Sequence, residues 1–228
     1  MTSLTQEQID WLDKCAKDRW TLNPKTGLVD VAWNFICSFQ GLSDFKGVKF
    51  GKVTGDFLCD NNSLASLVGA PQKVRWSFSC TNNQLTSLVG APHKVKGLFH
   101  CDGNRLTSLV GAPLKVGSEF SCSNNQLTSL VGAPLKVGGD LYCKNNRLTS
   151  LVGAPLKVGG ELWCDANPVS AKTLVTIFDK MQKGDSFLSA AASLRNKMSK
   201  KDWKLIAPHI PEAIRPGVSM LARFGAFG

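Results

Sequence analysis

The chain has 228 residues, 43% of them hydrophobic, and a formal net charge of +10. That length fits one domain, and the basic balance favours nucleic acid or an acidic surface as a contact. No apolar run approaches a membrane span, and Met1-Thr2-Ser3-Leu4-Thr5-Gln6-Glu7 lacks the basic and apolar regions of a secretory leader, so neither class is expected.

Thr5 and Gln8 form a capping-box signal, and Ile9, Leu12, Cys15 and Ala16 follow at helical spacing. An N-terminal helical cap is predicted over 1–22, with Asn23-Pro24-Lys25-Thr26-Gly27 as the turn leaving it. A degenerate first unit follows, with Phe35, Cys37, Gln40, Leu42, Phe45 and Val53. It carries one extra residue near Lys49-Phe50-Gly51, because Cys37 and Cys59 are 22 apart.

From there Cys59, Cys80, Cys101, Cys122, Cys143 and Cys164 recur every 21 residues. Such a period predicts a solenoid over 23–167, in which each unit buries its inner face only against its neighbours. An apolar residue, a spacer and Cys make a short strand in each unit, from Phe57/Cys59 to Leu162/Cys164, with the pair inward. Asn stands three residues beyond each Cys, from Asn62 to Asn167, where its side chain can satisfy the turn and bond along the stack. Two leucines, Gly-Ala-Pro and a Val complete the unit. The return path, rich in Gly and Pro, leaves little room for a convex α-helix, and extended or 3₁₀ segments are expected there.

After Asn167-Pro168 the pattern turns helical: Leu174, Ile177, Phe178 and Met181 on one face, then Leu188, Ala191, Leu194 and Met198 on another. Ser199 can cap a third helix with Trp203 and Ile206. A C-terminal cap is predicted over 168–208, covering the last sheet edge, and a Pro-broken apolar tail over 209–228.

The expected architecture is therefore a repeat solenoid with one parallel β-sheet of about seven short strands, capped at both ends by helices. The phrase Leu-Thr-Ser-Leu-x-Gly-Ala-Pro (from Leu85, Leu106, Leu127 and Leu148), the Cys-x-x-Asn step and the opener Asn23-Pro24-x-Thr26-Gly27-Leu28-Val29-Asp30-Val31 carry a resemblance. The chain resembles the bacterial-type, 21-residue leucine-rich-repeat proteins of tailed bacteriophages and bacteria, over roughly residues 20–180. The junction Asn167-Pro168-Val169-Ser170 matches as well. The resemblance implies an interaction module, phage-encoded and acting in host cytoplasm, or a virion component. One departure stands out: the residue before Gly-Ala-Pro, often charged in similar chains, is here Val68, Val89, Val110, Val131 and Val152.

Columns that vary between repeats are free to recognise a partner. Those flanking the inward pair belong to the face expected to be concave, and they include Leu98, His100, Glu119, Asp140, Tyr142, Lys144, Glu161, Trp163 and Asp165. Tyr142 and Trp163 share a column on adjacent strands, so their rings should stand side by side among acidic neighbours. Exposed aromatics with a charged rim have the composition of an interface anchor, suited to a protein with basic or aromatic groups. The same pair could instead only stiffen the sheet.

Three further features compete. Lys52, Lys73, Lys94, Lys115, Lys136 and Lys157 form a basic stripe, which can be solvated or can bind an anion. The valine column offers self-association, alone or with Phe224 and Phe227 of the tail. Lys197, Lys200, Lys201 and Lys204 could contact nucleic acid.

No catalytic constellation is visible. His93, His100 and His209 stand in no nucleophile or ligand spacing, and the cysteines lack the paired spacing of metal sites. Inward Cys is expected to act as a small hydrophobe, reduced and structural, without metal or cofactor. Eight cysteines without a visible leader point to a reducing compartment. The reading is a non-catalytic protein-binding module. A structural component of a particle is the alternative, and a nucleic-acid-associated factor the third.

Overall fold

The computed structural model describes residues 3–169. The helices predicted beyond Val169 and the apolar tail, including Phe224 and Phe227, lie outside them.

The N-terminal helix α1 spans Gln6–Ala16. Thr5 Oγ1 accepts from Gln8 N at 3.3 Å and Gln8 Oε1 accepts from Thr5 N at 2.9 Å, closing the capping box. The predicted inner face is shifted by Trp11: Trp11, Leu12, Cys15 and Ala16 are buried, while Ile9 is only half-buried. The Trp11 ring meets Phe35 edge-on at 5.2 Å, and its Nε1 donates to Gln40 Oε1 at 2.9 Å. Gln40 therefore takes the Asn position of the first unit in order to reach the cap.

Residues 20–22, predicted as part of the cap, belong to the sheet. Trp20–Leu22 pairs antiparallel with Val29–Val31. The intervening turn is held by Asn23 Oδ1, which accepts from Lys25 N at 3.0 Å, and by Gly27, whose φ of 67° suits glycine.

Beyond this hairpin the chain is a β-solenoid of about six turns, each contributing two short strands. The strands Phe35–Ile36, Phe57–Leu58 and so on to Leu162–Trp163 build a parallel seven-stranded sheet, as the Phe-x-Cys pattern predicts. The return path is a second parallel sheet. It runs from Val29–Val31 and Phe50–Val53 through Lys73–Val74 to Lys157–Val158, and with Trp20–Leu22 on its edge it has eight strands. Lys points out and Val points in, and each Lys-Val pair finds its ladder partner in the equivalent segment one turn away. The extra residue of the first unit is a bulge: Val29 pairs with Phe50 but Val31 with Val53, which puts it between Phe50 and Val53.

The core consists of stacked columns. Phe57, Phe78, Phe99 and Phe120 stack at centroid distances of 5.7, 5.2 and 5.4 Å, and Leu141 and Leu162 continue the column. The two leucine columns, the inner valines and the cysteines are buried beside them. Gly90 illustrates why the turns need glycine: its φ is 94°, and a Cβ there would stand 2.6 Å from Leu67 O.

The Asn column bonds along the stack as its spacing implies. Asn104 Nδ2 donates to Cys80 O, Cys101 O and Asp102 O at 3.0–3.1 Å, and its Oδ1 accepts from Leu85 N at 3.0 Å. One buried side chain thereby bonds four backbone groups in two successive turns. All eight cysteines are buried and unbridged. Burial pushes the thiols of Cys59, Cys80 and Cys101 well above their ordinary value, since an apolar interior penalises the thiolate. Cys143 is raised by its bond to Cys164 as well as by burial.

Candidate functional site

The outward side of the seven-stranded sheet carries Asp56, Asp60, Asp102, Glu119, Asp140, Glu161 and Asp165, with Lys144 and His100 as counterweights. Much of this charge is used within the sheet. Asp60 Oδ1 accepts from Ser79 Oγ and from Thr81 N, and Asp102 Oδ1 accepts from Ser121 Oγ and from Ser123 N. Those bonds bury Ser79, Ser121 and Ser123, so these predicted outward positions offer a partner almost nothing. His100 Nε2 and Glu119 Oε1 pair at 3.0 Å across neighbouring strands. Leu98 lies half-buried beside them.

The last two strands carry the aromatic pair. Tyr142 is directly opposite Trp163, with rings 6.1 Å apart and 5° from parallel. Lys144 Nζ sits 4.4 Å from the Trp163 ring centroid and 3.3 Å from Asp165 Oδ1. Tyr142 Oη donates to Asp140 Oδ2 at 3.0 Å, and Asp140 Oδ1 accepts from Glu161 N at 2.7 Å. Desolvation first, and then the Asp140 carboxylate, push the Tyr142 phenol up to about 12, so it remains a neutral donor. The result is a preset cluster of two rings, one cation and three carboxylates. Tyr142, Lys144, Trp163, Asp140 and Asp165 are half-buried and only Glu161 is fully exposed, so the cluster presents ring faces and edges rather than projecting side chains.

The valine column does point outward. Val68, Val89, Val110, Val131 and Val152 are 46–69% exposed, and Leu114, Leu135 and Leu156 add three more exposed side chains, 50–72%, that periodicity had not marked. Leu135 N donates to Leu114 O and Leu156 N to Leu135 O, so these leucines stand on successive turns. The lysine column runs along the outer face of the eight-stranded sheet, away from the carboxylates.

Two exposed tryptophans, Trp33 and Trp76, also escaped the sequence reading, because the repeat pattern has no aromatic at their position. Among the described residues no group of three or more His, Cys, Asp or Glu is placed to hold a metal ion, and no helix is long and apolar enough to cross a membrane. No family model matches the sequence, and a search of curated proteins finds none similar to it.

Proposed function

We propose that the chain is a non-catalytic interaction module that holds a partner protein on the acidic and aromatic face of the seven-stranded sheet. The observation that supports this reading is the Tyr142–Trp163 stack with Lys144 against it, preset by Asp140 and Asp165. Rigid rings already held in place lose little entropy on binding, and the surrounding carboxylates favour a partner that is basic around an aromatic or apolar anchor. By its resemblance to phage leucine-rich-repeat proteins, we place this module in the cytoplasm of an infected cell.

The double variant Tyr142→Ala, Trp163→Ala should lose the partner that the native protein captures from host lysate. A central aromatic anchor is worth about 2 kcal/mol or more in binding, whereas a cross-strand pair is worth about 0.2–1 kcal/mol in stability, so melting should shift only slightly. Equal capture by native and variant protein, compared band by band, refutes this use of the face.

A second reading is favoured by the exposed aliphatic strip: the chain is a structural component that assembles through Val68–Val152 and the outward leucines. Val110→Glu should then break the assembly in light scattering while leaving the folded monomer intact, because this side chain is 52% exposed. A native protein that stays monomeric at high concentration excludes this reading.

A further inference from the structure

From Lys73 onward the outer face of the eight-stranded sheet is a basic surface, with the carboxylate of Asp30 at its N-terminal end. The lysine column occupies one position per turn, and two residues further on Arg75 and Lys96 add to it. In the later turns that second position is Gly117, Gly138 and Gly159. A Cβ on Gly138 would run into Gly117 O, so the floor there is bare backbone. Two open grooves result, of about 240 Å³ around Lys73 and Arg75 and about 580 Å³ from Lys94 to Lys157. No acidic residue lines either of them, and among the described residues no ion pair neutralises these cations. Asp30, at the N-terminal end, is engaged by Lys52 N at 2.7 Å.

The corner joining the two sheets adds aromatic platforms. Trp33, Gly55, Trp76 and Gly97 occupy this corner in successive turns, linked by Gly55 N to Trp33 O at 3.1 Å, Trp76 N to Gly55 O at 3.2 Å and Gly97 N to Trp76 O at 3.0 Å. Trp33 and Trp76 are 52% and 57% exposed. The turn between them has Gly55 at this position, with Asp56 beside it accepting from Ser77 N at 2.8 Å, and two turns separate the indoles by about 10 Å. Stacked bases, each about 3.4 Å thick, fit such a gap in pairs. Arg75 immediately precedes Trp76, and Trp33 lines a recess with Lys17 and Arg19.

We infer that this surface binds single-stranded nucleic acid, with phosphates along the lysine column and bases stacked on Trp33 and Trp76. The two features select the ligand together. A row of cations alone suits any polyanion, whereas indoles flanked by cations reward a chain whose bases are free to unstack and re-stack. A duplex keeps its bases engaged. This inference is independent of the acidic face and uses the opposite charge of the protein.

The test is fluorescence anisotropy of the full chain with a labelled twenty-nucleotide oligothymidine over a range of salt concentrations, with a duplex of equal length and heparin as competitors. Affinity should fall with salt with a log–log slope of about −3, corresponding to four or five phosphates. Trp33→Ala with Trp76→Ala should weaken binding about tenfold or more without changing that slope. Lys73→Gln, Lys94→Gln and Lys115→Gln together should flatten the slope by about 2. All five side chains are exposed, and matching melting curves would show that the folds are equivalent. Lys200→Glu with Lys201→Glu should leave binding intact. The inference fails if the single strand does not bind at low salt, or if duplex or heparin binds as tightly and the tryptophan variants behave as native. It fails equally if the loss follows Lys200 and Lys201 rather than the sheet.

Discussion

Kept reduced and taken from neutral pH to about pH 10, the protein should unfold. The folded thiols of Cys15, Cys37, Cys59, Cys80, Cys101, Cys122 and Cys143 are held above the ordinary value of 9.0, chiefly by burial and at Cys143 first by its bond to Cys164. In the unfolded chain they ionise near that ordinary value. The unfolded state therefore binds fewer protons above pH ~9, and stability, fully present below this point, falls as pH rises. Each thiol that stays protonated only in the folded state contributes a slope approaching about 1.4 kcal/mol per pH unit, so the six of the solenoid core from Cys37 to Cys143 together approach about 8 kcal/mol per unit. A single domain of ordinary stability does not survive that. Guanidinium midpoints measured at steps from pH 7 to pH 10 in the presence of reductant should collapse over the last unit. Midpoints that stay constant would mean the cysteine column is open to solvent.

Loss of one Asn should also destabilise the fold. Asn104→Ala removes a buried side chain that serves Cys80 O, Cys101 O, Asp102 O and Leu85 N; Cys80 O keeps Asn83, Cys101 O keeps Asn125 and Asp102 O keeps Asn82 N, so Leu85 N is the group left without its partner. With one buried donor left unsatisfied, a loss of about 1–3 kcal/mol is expected. Asn104→Asp should be at least as harmful, because its carboxylate would face three carbonyl oxygens. Thr107→Ala, at an exposed position of the same turn, should stay within about 0.5 kcal/mol of native. Equal denaturation midpoints for Asn104→Ala and Thr107→Ala would show that the ladder contributes no stability.

The two candidate surfaces were legible to different degrees. The pairing of Tyr142 with Trp163 follows from the period alone, since residues 21 apart in a solenoid stand on adjacent strands. Which neighbours remain available to a partner does not. Ser121 and Ser123 alternate outward by the strand rule, yet they are buried because Asp102, one turn earlier, bends over them to bond. The lysine column was visible as a column, but its lack of counter-charge depends on where the carboxylates went. Apart from Asp30, those of the repeats lie on the other sheet, and that sheet's position relative to the lysines is a property of the corner.

Trp33 and Trp76 show the limit most clearly. They are 43 residues apart, which is not a multiple of 21, so a fixed ruler does not align them. The bulge between Phe50 and Val53 absorbs the odd residue, after which backbone bonding puts both indoles in one corner column with Gly55 between them.

The sequence by itself determined the solenoid, its pitch, the inward columns of Phe, Cys, Leu and Val, the Asn turns and the capped first helix. Each of these rests on local chemistry repeated at a constant interval, and repetition turns a weak local preference into a strong one. Only the tertiary structure decided that the return path is a second sheet, because a two-residue Lys-Val segment has no periodicity of its own and becomes a strand through its partners one turn away. It also decided that Trp11 and Gln40 close the N-terminal end, and that the charges separate onto two faces. Those outcomes depend on which side chains meet across turns, and the ladder register that brings them together is set by the whole stack.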